Sequence, residues 1–511
     1  MSTSNNQRTD VVVVGAGSAG AVVARRLLDA GLTVTVLEAG PADTAEALHD
    51  PLQSPAVLGT EYDWNYRTVP QTSANGAELL QPRGRTLGGT SSINGMIYVR
   101  GVPSDYDAWV LQGAAGWTWS EVEPYFRKLE DYDGGAAGGR GVGGPLHIQR
   151  LPDPSPIVRA FVKAAEEAGH PYNDDYNDDR RLSDGVSYLQ TTIHDGRRIS
   201  SWDAYVRPVA DDPRLSVVTE ATVARILVEG GRATGVEYLR GGRRHQLRSD
   251  RVVLSAGVFG TPQILQLSGI GDATQLRSQG IDVQVHLPGV GHNLQDHVTS
   301  PVIFETPEPV FPRTQGLEAG VFGRSRSGLL APNVQPMLMS FVYPYISGRL
   351  PEYGFTITGQ VLHPLSRGTV SLRSTDPTVA PLIDPRYLSE PHDLEVLVDC
   401  LLQIREIGEQ PALRSLHKGE VHPGPDFGTR DQVREYVRRT TVTGQHQVGT
   451  SRMGVDSQSV VDPTLRVHGV ESLWVADASI MPTLVSGNTN GPTIMIGERA
   501  ADFILGTRST A

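Results

Sequence analysis

A chain of 511 residues with 39% apolar and 20% charged side chains buries a large core and reads as two or more globular domains. Its formal net charge of −12 argues against a surface built for nucleic-acid phosphates, which needs clustered Lys and Arg. No apolar run approaches the roughly 20 residues that span a bilayer. The polar N-terminus lacks the apolar centre of a secretory signal, so a cytoplasmic location is expected. The single cysteine, Cys400, rules out an intramolecular disulfide.

The first predicted element is a strand over 11–14, whose four β-branched residues suit burial on both faces. It runs through Gly15-Ala16-Gly17-Ser18-Ala19-Gly20 into a helix over 21–28 and a second strand over 33–37 that ends at Glu38. Gly15, Gly17 and Gly20 have the GxGxxG spacing. There the first glycine permits the turn, the second lets backbone approach a pyrophosphate, and the third lets helix and strand pack closely. An acidic residue at the position of Glu38 suits a ribose hydroxyl pair, so this unit points to a dinucleotide, FAD and NAD alike.

Residues 83–95 form a second glycine-rich block, Arg83 to Gly95, readable as a ligand-lining loop or an irregular surface loop. A helix is expected over 120–129, a flexible or lid-like Gly/Ala loop over 133–144, a helix over 155–168 and a solvated acidic loop over 173–184. Short strands over 215–218, 223–228, 233–239 and 252–254 are separated by Gly230-Gly231 and Gly241-Gly242, as antiparallel hairpins require. A helix then begins at Thr261-Pro262. In the turn-rich stretch 287–297, His292 and His297 lack a metal-ligand context and suit loop hydrogen bonding; no metal site is predicted. Alternating residues within 302–374 predict a sheet-bearing second domain, and helices are expected over 394–407 and 431–438. Cys400 falls in the first of these as a small core hydrophobe.

Near the C-terminus, a strand over 473–476 ends at Asp477-Ala478-Ser479, and 486–491 reads as a loop. Pro492 opens a helix over 493–504, whose positive N-terminus faces the Asn490 loop. His446 lies in a polar, glycine-flanked segment, where position alone does not mark it as a catalytic base.

Taken together, Gly15–Gly20 with Glu38, the block 83–94, and the segments 257–271, 289–297, 446–454, 477–479 and 486–490 resemble the glucose-methanol-choline (GMC) family of FAD-dependent alcohol oxidases and dehydrogenases. The resemblance covers nearly the whole chain and favours FAD over NAD. It implies an α/β fold in which a Rossmann-like FAD domain is assembled from 8–150, 205–300 and 455–511. An α+β substrate domain with an antiparallel sheet would take 151–204 and 301–454.

By the same resemblance, FAD contacts are expected from Gly15, Gly17, Ser18, Ala19, Gly20, Glu38 and Ala39. Further contacts would come from Arg85, Gly88, Gly89, Ser92, Asn94, Gly95 and Met96, and from Val223, Asp477, Ala478, Asn490, Pro492 and Thr493. His446 matches the family's active-site histidine and Asn490 its His/Asn partner. The implied reaction takes the alcohol proton towards His446 while hydride passes from the carbinol carbon to flavin N5. Some members attach FAD through a histidine just after the paired serines; Ile93 stands there, which implies noncovalent FAD. An aryl or other small primary alcohol is the expected substrate, with dioxygen or another acceptor reoxidising the flavin. Choline-type oxidation, with Glu318 facing the ammonium, is the alternative, as is a non-redox FAD lyase of the same family.

Overall fold

The computed structural model describes residues 8–178 and 184–506. Two sheets organise it. The first is built on Arg8–Val14, flanked by Val34–Leu37 on one side and Arg243–Leu254 on the other, all parallel. Leu215–Val218 adds beyond Val34–Leu37, and Leu473–Val475 pairs with the end of Arg243–Leu254. Val11 to Val14 are buried, as a strand covered on both faces should be.

The helix Ser18–Asp29 covers this sheet and packs on the C-terminal helix Asn490–Leu505. Gly497 makes the contact close: a Cβ there would stand 2.9 Å from the Ala19 carbonyl oxygen. Glu498, fully buried, is held by Arg26, Lys128 and the Tyr205 hydroxyl, so the interface is also fixed in register.

The expected hairpins are present, with Gly230, Gly231, Gly241 and Gly242 all at positive φ, the geometry that two-residue hairpin turns demand. The third strand, however, starts at Arg243 rather than near 252. Its first residues, Arg243, Arg244, His245 and Gln246, are exposed and charged or polar, so no apolar alternation marked them as strand.

The second sheet is antiparallel, in the order Gly419–His422, Val298–Glu305, Gly354–Gln360, Met337–Met339, Leu317–Phe322, Gly185–Tyr188. One face, including Val302, Phe304, Ile357 and Leu338, packs against the helix Pro391–Gly408. Cys400 lies in that core as expected, its thiol pushed up to about 12 by burial. The sheet accepts it because Gly359 has no side chain; a Cβ there would meet the Cys400 Sγ at 3.0 Å.

Two expectations need correction. The Gly/Ala loop over 133–144 is pinned rather than free: Arg140 within it bonds to Glu130, Asp175 and Gln190, and the Gly141 N–H donates to Glu130. The C-terminal helix begins at Asn490, so Pro492 sits inside its first turn instead of opening it. Part of the acidic loop expected over 173–184 lies outside the described residues. No helix among the described residues is long and apolar enough to cross a membrane.

Candidate active site

The parallel strands of the first sheet end level with one another, at Val14, Leu37, Val218, Leu254 and Val475. The residues that follow, Gly15, Gly17 to Ala19, Glu38-Ala39, Ala221 to Val223, Ser255 to Gly257 and Asp477-Ala478, line one cavity of about 900 Å³. Ligands in open α/β sheets bind outside the carboxyl ends of the strands, and this is that position.

The glycine turn is packed backbone to backbone. Gly15 has φ +97°, and a Cβ on Gly20 would stand 2.0 Å from the Gly15 carbonyl oxygen. A Cβ on Gly17 would meet only the Gly89 Cα, at 3.8 Å, and otherwise project into the cavity. That open cradle before a helix N-terminus with no acidic residue in its first turn fits a pyrophosphate. Glu38 accepts the N–H of Ala16 and of Gly40 and lines the cavity, where its carboxylate suits ribose hydroxyls. Burial raises its pKa. The second glycine block closes on the first, the Gly88 N–H donating to the Ala16 carbonyl at 2.9 Å.

The far end of the cavity is floored by the second sheet. Thr299 and Pro301, paired with Gln360 and Thr358, and then Met337, Met339 and Leu317, point into it from alternate positions on neighbouring strands. At this end stands His446, just beyond the short strand Val442–Thr443.

The Asp296-His297 pair grips His446 from two sides. Asp296 Oδ1 accepts the His446 backbone N–H at 2.8 Å, while His297 Nδ1 lies 3.0 Å from His446 Nδ1. His297 Nε2 lies 3.0 Å from the Leu362 carbonyl, so it carries the proton and its Nδ1 is an acceptor. His446 Nδ1 therefore donates, leaving a lone pair on Nε2 that accepts from the Asn488 amide at 2.9 Å. Burial and the Arg83 cation push His446 down to about 3, so the ring is neutral. Burial likewise holds His297 neutral.

Asp296 also takes bonds from Tyr387, Thr443 and Gln447, and burial lifts its carboxyl to about 6. Asn488 Oδ1 is buried without a partner among the described residues, an acceptor left open at the same end.

Of the residues expected to contact the cofactor, Gly15, Gly17, Ser18, Ala19, Glu38, Ala39, Gly89, Asn94, Gly95, Met96, Val223, Asp477, Ala478, Asn490 and Thr493 line the cavity. Gly20, Arg85, Gly88, Ser92 and Pro492 stand behind it. Arg85 covers the ring of Trp64, a lining residue, at 5.4 Å, and Ser92 bonds the Leu87 carbonyl.

Two placements differ from the sequence reading. Asn490 does not meet His446: as the first residue of its helix it turns its Oδ1 to the Ser18 hydroxyl, 2.7 Å away, and ties two helix N-termini together. Asn488, two residues earlier, is the neighbour of His446 instead. Glu318 lies off the cavity, fully buried, its carboxylate accepting the N–H groups of Arg313 and Thr314 and the Thr314 hydroxyl. Asp296, His297 and Asn488 surround His446, and none of them was singled out by the sequence; the Asn-Thr-Asn repeat offers two asparagines and no periodicity to choose between them.

Comparison with known proteins agrees with this architecture. The GMC oxidoreductase family models match residues 9–299 and 364–497. The oxygen-dependent choline dehydrogenase of Sinorhizobium medicae is 38% identical over 99% of this chain and 97% of its own. Among solved structures, pyridoxine 4-oxidase from Mesorbium loti superposes with a TM-score of 0.92 at 33% identity, over 96% of this chain and 98% of its own. Formate oxidase of Aspergillus oryzae, a structure concerned with FAD modification, gives 0.90 at 26%, over 98% of each chain. A glycine cradle, a ribose-competent carboxylate and these matches lead to one conclusion: the chain belongs to the GMC oxidoreductase family and is an FAD-dependent enzyme that oxidises alcohols.

Proposed function

We propose that the protein oxidises an uncharged primary alcohol, aryl or otherwise small and apolar, to the aldehyde. The observation that carries the reading is the neutral His446, whose Nε2 lone pair meets the Asn488 amide above the floor of the second sheet. His446 Nε2 accepts the hydroxyl proton of the alcohol, and Asn488 holds the alcohol oxygen. Asp296 and His297 position the ring, the first through backbone and the second by fixing the Nδ1–H tautomer. FAD, when bound, supplies the hydride acceptor. Ile93 lines the cavity at the attachment position and offers no nucleophile, which supports noncovalent binding. We also propose the division into an FAD domain of residues 8–150, 205–300 and 455–511 and a substrate domain of the remainder up to 454.

The substrate preference is supported by the floor, which presents Leu317, Met337, Met339, Pro301 and Thr358 and no carboxylate, with Glu318 engaged elsewhere. A quaternary ammonium on that floor would have to take its counter-charge from outside the second sheet, where Asp63 and Glu78 line the same cavity. Choline is the second reading, because choline dehydrogenases are close relatives over nearly the full length. An anaerobic panel of benzylic, aliphatic and amino alcohols, followed by flavin absorbance, tests both. Rapid bleaching by benzylic alcohols supports the first reading, and bleaching by choline alone the second. Admitting air and measuring peroxide then identifies the acceptor.

A further inference from the structure

Arg198 is 2% exposed and makes no ion pair among the described residues. The other two deeply buried arginines, Arg100 and Arg140, both pair with Glu130. Arg198 instead donates only to neutral oxygens: Nε to the Leu48 carbonyl at 2.9 Å, Nη1 to the Ser91 and Asn94 carbonyls and to Asn94 Oδ1 at 2.8 Å, and Nη2 to the Ser54 hydroxyl. The acid that acts on it from further away, Asp203, is itself bonded to Arg207. A buried guanidinium keeps its charge and is costly without a compensating anion.

Ser54 and Asn94, its two side-chain partners, both line the cavity. The cation is thus one side chain removed from the cavity. Asn94 Oδ1 is used twice on the protein side, by Arg198 and by the Met96 N–H, which leaves the amide N–H₂ as its free end. The segment belongs to the reaction end, since a Cβ on the next residue, Gly95, would come 2.8 Å from Leu317 Cδ1 on the floor of the second sheet.

We infer that Arg198, acting through the Asn94 carboxamide, supplies the positive charge that balances the negative charge FAD gains at its ring on reduction. Arg198 is in this sense a positioning and electrostatic residue that favours the reduced coenzyme over the oxidised one. The inference rests on the FAD-dependent redox reading of the site but not on which alcohol is oxidised.

The test is the midpoint potential of bound flavin, measured by reductive titration against a reference dye with no alcohol present, so an error in the substrate reading leaves it intact. In R198M the preference for the reduced form should fall at least tenfold, a midpoint about 30 mV more negative for a two-electron couple. R198K, which keeps the charge, should stay near the parent. N94A retains every other Arg198 bond, including that to the Asn94 carbonyl, and should shift in the same direction as R198M. It decides the matter if R198M does not fold. An unchanged potential in flavin-loaded N94A or R198M overturns the inference. So does an equal loss of affinity for oxidised and reduced FAD, which would assign the charge to the pyrophosphate.

Discussion

At one end of the cavity Gly15, Gly17, Gly20 and Gly89 bring backbones into contact, and the lining offers a helix N-terminus and the Glu38 carboxylate. At the other, Asp296, His297, His446 and Asn488 arrive from three separated segments and meet through side chains. The first end rests on two glycine blocks and has no room for a Cβ at Gly15, Gly20 or Gly89. The second is long-range, and its chemistry depends on which nitrogen of one histidine carries a proton. Backbone packing and side-chain tautomer therefore fail differently when disturbed, and variants can separate them.

The largest effect is expected at the reaction end. H446A should keep its flavin yet be reduced by alcohol about 10²–10⁴-fold more slowly, the usual worth of a positioned general base. At the glycine end, G20A must move the turn, because its Cβ would fall 2.0 Å from the Gly15 carbonyl. Its FAD affinity should drop at least roughly tenfold, about 1.4 kcal/mol, by equilibrium dialysis of the apoprotein.

Asp296 offers a smaller and more specific test. With His446 held down to about 3, protonation of the base does not limit the rate at ordinary pH. Asp296, lifted to about 6, titrates first, and a proton on it forces one of its four donors to turn away. Anaerobic reduction should fall a few-fold as pH drops through about 6 and be level above it, with the inflection lost in D296N. The stability sign is opposite. Because the folded value lies above the ordinary carboxyl value, this group stabilises the fold at low pH, and that contribution fades as pH rises through about 6. The smallest effect is expected for E318Q, whose carboxylate lies off the cavity: reduction rates with benzylic alcohols and with choline should both stay within about twofold of the parent.

The same contrast explains what the sequence made legible. The βαβ unit, Glu38 and the Gly88-Gly89 block could be placed because spacing along the chain maps directly onto the turn they form. His446 emerged from the family resemblance, but its neighbours did not. Asp296 and His297 sit in a turn-rich stretch with no periodicity, and their role exists only because Val298–Glu305 pairs with Val442–Thr443. Helix phase is what turns Asn490, the residue singled out by the resemblance, away from His446. Pro492 suggested a start two residues too late, and a helix beginning at Asn490 rotates that side chain to Ser18. Glu318 is turned from the cavity for a related reason: a strand sequence does not say whether a loop will fold back and claim its carboxylate.

The most direct test of this reaction end compares N488A with N490A in anaerobic stopped-flow reduction of bound flavin by a benzylic alcohol. Loss of the amide that meets His446 Nε2 should slow N488A by roughly 10–100-fold, while N490A, with flavin retained, stays within about threefold of the parent. The reverse order, with N490A slowed and N488A near the parent rate, would contradict the assignment of Asn488 as the partner of His446.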